Sequence, residues 1–440
     1  MYSCGPTVYD YAHLGNLRAF IFVDILKKYM KYKGLKVKHV MNITDVDDKT
    51  IRGSKKEGKS LKEFTRFYEK EFLQDLETLN IQKADIMPRA TEHIKEMVAM
   101  IEKLKENKYI YEKDKSTYYS IMKFKNYGQL AKLDAENLKQ NADGRLQDAD
   151  EYDKENPRDF ALWKGHSSDD GDVFWESSIG KGRPGWHIEC SAMSSKYLGD
   201  NFDIHTGGVD LIFPHHTNEI AQAEAASDKK FVNYWIHNAH LIVNGEKMSK
   251  SAGNFFTLRD LLDKGYNPKA IRYELLSTHY RQRLDFQEKN MENVKNTLDR
   301  FKELIIKLDN VTSDKDNKKI HALIDKVKKE FENHMDDDLN IAGALSEIFT
   351  FIREVNKISE QISKKDAQDV KETLLSFDSV LGVMEFDDMK IPAEIKKLAE
   401  ERLKAREDKD FDKSDKIRDE IKKKGYSLDD TKEGYIIKKN

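Results

Sequence analysis

The first 45 residues alternate strand, loop, helix and strand, and no other stretch limits the possible folds as tightly. Tyr2–Val8 is a short β-like run interrupted by Gly5 and Pro6. Phe22, Ile25, Leu26, Tyr29 and Met30 then recur at helical spacing, and Gly34 ends that helix. The alternation of Val37, His39 and Met41 predicts a second strand within Leu35–Thr44. A helix between two strands at this spacing is half of a doubly wound α/β (Rossmann-like) domain. Such sheets take their ligands beyond the C-terminal ends of the strands.

Further along, Phe64, Tyr68, Phe72 and Leu76 mark helix within Ser60–Lys108. Asp114–Pro184 is polar, with short β-like pieces such as Thr117–Met122, and reads as an insertion. A second α/β part returns with Phe202–Ile204 and Val232–Val243, and Asn244-Gly245 is a strong tight-turn signal. After about residue 290 the pattern becomes helical only. Leu345, Ile348, Ile352, Val355 and Ile362 mark a buried stripe, punctuated by a loop at Asn310–Lys319 and a break at Met335–Asp338. From Ile391-Pro392 a small α+β unit follows: helices at about Ala393–Arg406 and Asp410–Lys424, Gly425 as a C-cap, and a hairpin near Tyr426–Leu428 and Tyr435–Ile437. The expected organisation is thus a catalytic α/β domain in two halves (1–110 and 182–250) around an insertion (111–181). A connecting region (251–292), an all-α bundle (293–388) and a C-terminal unit (389–440) complete it.

Composition removes several function classes. No stretch approaches ~18 uncharged apolar residues, so no membrane span is expected, and MYSCGPTVYD has no secretory-signal pattern. Two cysteines in 440 residues exclude a disulfide framework and point to a reducing compartment, the cytoplasm. The net charge of −3 means that a polyanionic partner has to be met by local patches. Met389–Asn440 holds 16 Lys and Arg against 13 Asp and Glu, a mildly basic balance that by itself favours a solvated helical face over an RNA-binding surface.

Two elements suggest phosphate chemistry. His13-Leu14-Gly15-Asn16 falls where the first strand gives way to the first helix, whose N-terminus offers unpaired N–H groups to an anion. Gly15 leaves room for a base or ribose against the backbone. Lys247-Met248-Ser249-Lys250-Ser251 follows the Asn-Gly turn, and its two lysines can clamp a polyphosphate as a bond to phosphorus breaks. Taken singly, each is also an ordinary loop. There is neither a Walker A loop nor a GxGxxG. Together, in this order and on this fold, the two elements resemble the class I aminoacyl-tRNA synthetases.

The remaining unusual runs concern metal. Cys4, Cys190, His215 and Glu219 make a four-ligand zinc set of acceptable chemistry, and the last two are four apart, on one face of a helix. Their spacing is not that of a zinc finger, and on spacing alone His215 and Glu219 are more often a surface pair than metal ligands. Asp45, Asp47 and Asp48 lack the glycine and glutamate of a calcium loop.

Five runs carry a closer resemblance: CGPTVYDYAHLGN at Cys4–Asn16, NITDVDDK at Asn42–Lys49, GRPGWHIECSAM at Gly182–Met193, FDIHTGGVDLIFPHHTNEIAQ at Phe202–Gln222 and EKMSKSAGNFFT at Glu246–Thr257. They are similar to the cysteinyl-tRNA synthetases within class I. That resemblance implies one zinc per chain on Cys4, Cys190, His215 and Glu219, taking the substrate thiol as a further soft ligand and favouring its thiolate. Serine offers a far poorer ligand, so no editing site is needed. It implies ATP, with Mg²⁺, on His13, Gly15, Asn16, Lys247, Ser249 and Lys250. His13, Asn16, Lys247 and Lys250 would carry catalysis. L-Cysteine would lie against Gly5, Thr44, Trp186, His187 and Asp210, although Trp186 is also a candidate core residue. His237 and His240 read as solvated or core histidines, and His216 has no assigned role. In the C-terminal unit, Arg406, Asp415 and Arg418 match residues that contact the anticodon, with Phe411 at a position often held by tryptophan.

Two departures accompany the resemblance. Asn16 stands where the signature usually has a second histidine, so it can donate a hydrogen bond but carries no charge. Relatives also carry a short segment before the first strand, so either the start is misplaced or an edge element is missing. The expected activity is ligation of L-cysteine to tRNA(Cys) through cysteinyl-adenylate, by a cytoplasmic monomer. The rival readings are a cysteine ligase that uses a small amine acceptor, against which residues 389–440 argue, and a non-catalytic RNA-binding paralogue.

Overall fold

The computed structural model describes residues 1–133, 158–249, 253–385, 392–431 and 434–439. They form two compact units, Met1–Glu288 and Lys289–Asn440. No helix among the described residues is long and apolar enough to cross a membrane.

The first unit starts with β1 (Tyr2–Ser3), α1 (Leu14–Tyr32) and β2 (Val40–Met41). The strands are shorter than their residue patterns predict. Tyr2–Val8 pairs fully only at Tyr2–Ser3, then touches the neighbouring loop through a Thr7–Thr44 bridge. Leu35–His39 do not join the sheet, and Leu35 is 58% exposed, because the chain is still returning from the helix end at Gly34. α1 is buried along most of its length (Leu17, Phe20, Ile21, Ile25 and Leu26), each such side chain contributing about 1.5–3 kcal/mol. It also buries Asp24, which holds Lys28 at 2.8 Å and Arg272 at 2.6 Å.

After α2 (Asp48–Lys56), α3 (Leu61–Thr78) and α4 (Ile94–Glu106), the inserted region forms an antiparallel sheet. Its strands are β3 (Ile110–Lys113), β4 (Ser116–Tyr119), β5 (Phe160–Gly165), β6 (Trp175–Ser177) and β7 (Gly180–Pro184), in the order β3-β4-β5-β7-β6. Then α5 (Trp186–Leu198), β8 (Phe202–Gly208), α6 (Thr217–Ser227) and β9 (Val232–Asn238) return to the first sheet. That sheet is parallel and ordered β2-β1-β8-β9. Tyr2, Val40, Cys190, Phe202, Phe231 and Val232 share one core beneath it.

Val232–Val243 divides between two sheets. β10 (Leu241–Val243), β11 (Glu246–Lys247) and β12 (Leu284–Phe286) make their own small sheet, and Asn244 and Gly245 turn the β10–β11 hairpin with φ of 52° and 81°. Between β11 and β12 lie α7 (Leu258–Asp263) and α8 (Pro268–Ser277).

In the second unit, α9 (Met291–Asp309), α10 (Lys318–Asp336), α11 (Ile341–Ile358) and α12 (Lys364–Leu381) pack as a bundle. Leu345, Ile348, Ile352 and Val355 are its buried stripe on α11. Ile362 is buried too, but in the loop after that helix. α13 (Ala393–Glu407), α14 (Phe411–Lys423) and the hairpin β13 (Tyr426–Thr431) and β14 (Gly434–Lys439) close on Ile395, Ala399, Ile417, Ile421, Leu428 and Ile437.

Candidate active site and metal centre

The sheet places the β1–α1 loop and the β2–α2 loop side by side. Gly5 N–H donates to Asn42 Oδ1 at 2.8 Å, and a Cβ at residue 5 would lie 1.7 Å from the Asn42 carbonyl oxygen. Only glycine permits that approach. Thr44, expected beside the substrate, is instead buried and committed inward. Its hydroxyl donates to Glu189 Oε2 at 3.0 Å and accepts from Asn42 at 3.1 Å.

His13 is the N-cap of α1. Its Nδ1 accepts from Asn16 N–H at 3.2 Å, and its own N–H donates to Asn16 Oδ1 at 3.3 Å. This reciprocal cap gives Asn16 a structural task that its sequence position did not reveal. Burial lowers the His13 pKa, opposed by Asp210, so the ring is neutral with its proton on Nε2. Gly15 lies against that ring, where a Cβ would sit 3.0 Å from His13 Cε1 and 3.8 Å from Met248. The first signature and the Lys247 loop therefore meet.

That loop is tied to α1 at both ends. Upstream, buried Arg18 donates to the carbonyls of Ala239 (2.8 Å), His240 (2.9 Å), Gln282 (2.6 Å) and His279 (3.3 Å). Downstream, Leu14 N–H donates to Phe256 O at 3.0 Å and His13 bridges to Thr257. Asn254 closes the loop on itself, accepting from Ser249 N–H at 2.8 Å and donating to Lys247 O at 3.2 Å. Arg259 stacks on Tyr11 at 4.2 Å and pairs with Asp75 at 3.0 Å. Lys247 is exposed. Lys250 and Ser251 lie outside the described residues.

The four expected metal ligands come together. One donor atom from each of Cys4, Cys190, His215 and Glu219 lies within 4.8 Å of the other three, and only Cys4 is not fully buried. Cys4 arrives at the end of β1, Cys190 on α5, and His215 and Glu219 across the junction into α6. His215 precedes that helix, in a turn broken by the extended backbone of Phe213. Two thiols, an imidazole and a carboxylate at this separation fit a tetrahedral zinc. Burial pushes the Cys4 thiol up, reinforced by Cys190. Burial does the same to Cys190, but hydrogen bonds with Cys4 and His215 outweigh it and favour its thiolate. Glu219 is held well below the carboxylate range against burial by His205 and His215.

Around this set stands a histidine chain that motif reading did not assemble. His205 Nε2 lies 2.9 Å from Glu219 Oε2, and His187 Nδ1 lies 2.8 Å from His215 Nδ1. His216 reaches Cys4 Sγ at 3.4 Å and His237 at 2.8 Å. His205, His216, Cys4 and Glu219 even form a second possible four-donor group. Such partners fix ligand orientation. His237 thus belongs to the site, whereas His240 is half exposed, 4.0 Å from Asp210. The signal was present as HTGG and PHH, but period and spacing do not say which histidines converge. Trp186 is no core residue. It is 42% exposed and stacks on His215 at 4.3 Å. Buried Glu189 has one carboxylate oxygen without a hydrogen-bond partner.

In the second unit Phe411, Asp415 and Arg418 occupy one exposed face of α14, and Arg406 is exposed in the last turn of α13. Phe411 is 63% exposed, unusual for a large apolar side chain.

Comparison with known proteins adds the following. The family model for the tRNA synthetases class I (C) catalytic domain matches residues 1–296, and the DALR domain model matches residues 330–385. A cysteine–tRNA ligase of Brachyspira hyodysenteriae is 48% identical, covering 99% of this chain and 93% of the relative. One of Protochlamydia amoebophila is 46% identical over 100% of this chain and 93% of its own length. Among solved structures, Mycobacterium tuberculosis methionyl-tRNA synthetase in complex with methionyl-adenylate superposes with a TM-score of 0.61 at 14% identity. That match covers 87% of this chain and 89% of the other, a likeness of fold.

Proposed function

Since the chain belongs to the cysteine–tRNA ligases, a family of class I aminoacyl-tRNA synthetases, we propose that its cysteine pocket is the cleft bordered by Trp186 and the Cys4–Cys190–His215–Glu219 set. The enzyme activates cysteine with ATP and passes it to the terminal ribose of tRNA(Cys). The cysteine carboxylate attacks the α-phosphate and pyrophosphate leaves. A ribose hydroxyl then attacks the acyl carbonyl and AMP leaves. Zinc on those four residues would supply a soft acceptor for the substrate sulfur and favour its thiolate.

The chain's own residues do the rest. His13 offers Nε2–H to a phosphate oxygen because Nδ1 is engaged by Asn16. Lys247 and Lys250, with Mg²⁺ on the nucleotide, offset charge growing on the leaving pyrophosphate. Gly15 keeps that surface open, and Ser249 is fixed through Asn254. Gly5, His187 and Asp210 border the amino acid, while Thr44 supports them from beneath. Arg406, Asp415 and Arg418 read the anticodon, with Phe411 stacking on a base. The reading includes a monomer in the cytoplasm, where two free thiols persist.

The observation that carries this reading is the convergence of two thiols, an imidazole and a carboxylate beside the His13 helix. ATP–pyrophosphate exchange with cysteine and with serine, run beside tRNA(Cys) charging and zinc analysis, tests it. A metal-free chain that activates cysteine fully would sink the zinc assignment.

A further inference from the structure

A cavity of about 320 Å³ on the first unit is lined by Tyr9, Lys49, Arg52, Gly53 and Lys56. The four α2 residues stand at positions i, i+3, i+4 and i+7, one face of the helix, where a core-facing helix would carry apolar side chains. Among the described residues none of these three cations is in an ion pair. The acidic neighbours are already engaged. Asp47 caps α2 through Thr50 N–H, Asp48 holds Lys164 at 2.9 Å and also Arg183, and Glu57 holds Lys59 at 2.8 Å. Lys55, on the same helix, is spent on the Asp169 carbonyl. Three positive charges without an ion pair among the described residues, Lys49 feeling only the capping carboxylate of Asp47, thus share one concave surface.

One aromatic ring, that of Tyr9, lines it, and the exposed ring of Phe67 stands on α3. Lys49 Nζ sits 5.3 Å from the Tyr9 ring centroid, and Lys59 Nζ lies 5.6 Å from that of Phe67. Tyr9 and Phe67 are 39% and 42% exposed. Cations in a groove beside the exposed Tyr9 ring suit a single nucleic-acid strand, phosphates on the cations and a base on the ring. The location narrows the choice further. Tyr9 lies on the loop that joins Cys4 to His13, and α2 leaves the loop that joins Asn42 and Thr44 to this site, where Val8 N–H donates to Thr44 O at 3.1 Å. The cavity is thus joined through these two neighbouring loops to the candidate site.

We propose that Tyr9, Lys49, Arg52 and Lys56 bind the single-stranded 3′ end of the tRNA and guide its terminal ribose to the adenylate. The proposal rests on the tRNA-charging reading above. The cations span about 10 Å along α2, enough for a few successive phosphates.

The test uses the full chain with Lys49→Glu, Arg52→Glu and Lys56→Glu combined, and separately Tyr9→Ala. Two substrates are compared: tRNA(Cys), and the same tRNA lacking its single-stranded 3′ nucleotides. Exchange with cysteine should stay within about twofold, while the triple variant raises the tRNA KM by at least about tenfold and flattens the salt dependence of binding by about two in log–log slope. The trimmed tRNA should bind wild type and triple variant nearly alike. Tyr9→Ala should weaken the intact tRNA only. Unchanged charging overturns the proposal, and so does an equal loss for intact and trimmed tRNA, which would place the cations on the duplex. Exchange falling in step with charging overturns it in favour of a role in activation. A wild-type chain that charges no tRNA fails the enzyme reading instead, a result distinct from all of these.

Discussion

The candidate metal centre and the outer face of α14 are both built from polar and aromatic side chains, yet they stand at opposite extremes of burial. Around Cys190 the groups are buried and answer one another: Glu219 is ionised because His205 and His215 face it, and His215 is oriented by His187. On α14, Phe411, Asp415 and Arg418 point to solvent. A buried set is preorganised and intolerant, since removing one member leaves its partners uncompensated. An exposed set waits for its partner and loses only the contact removed.

The sharpest way to break that contrast is Cys190→Ser. Zinc content should fall well below one per chain and cysteine activation should be nearly abolished. Retained zinc and activity would mean that the buried groups do not act as one set. Lys250→Ala should cost about 2–4 kcal/mol of transition-state stabilisation in pyrophosphate exchange while cysteine binding changes little. Unchanged exchange would count against a phosphate clamp.

A third measurement isolates burial without a metal. His39 is buried against Ser3, 2.8 Å away, and burial, aided by Lys27, depresses its pKa to about 3. The unfolded chain takes up that proton near 6.5, so its contribution to stability is complete above that pH. It is lost as pH falls toward 3, at about 1.4 kcal/mol per pH unit. Denaturant unfolding at pH 7 and pH 5 should therefore show wild type losing about 2 kcal/mol more than His39→Gln. Equal losses would show that this histidine titrates normally. The smallest effect belongs to the exposed face. Phe411→Ala should cost about 1–3 kcal/mol in tRNA charging, persist at raised salt, and leave cysteine activation untouched. A loss that salt abolishes would make Phe411 a bystander to phosphate contacts.

Much of this was legible along the chain. The Asn244-Gly245 hairpin, the end of α1 at Gly34 and the α11 stripe follow from local periodicity and turn chemistry, which act over a few residues. Leu35–His39 stay outside the sheet, unlike Val40–Met41, because alternation predicts extended backbone, whereas joining a sheet needs a neighbour with free hydrogen-bonding groups. The hydrogen bond of Thr44 was illegible for the same kind of reason: its partner Glu189 lies on α5, far away in sequence.

The sequence by itself determined the family-specific runs, the donor chemistry of the candidate metal set and the succession of α/β, insertion, bundle and small C-terminal unit. These rest on residue type and short-range spacing. Only the tertiary structure decided which histidines converge, that Asn16 caps its own helix, that one guanidinium at Arg18 gathers four carbonyls, and that unpaired cations on α2 meet Tyr9. Cys4 and Glu219 stand 215 residues apart yet 3.8 Å from each other. That nearness comes from burying apolar strands against helices, a long-range balance that no local pattern encodes.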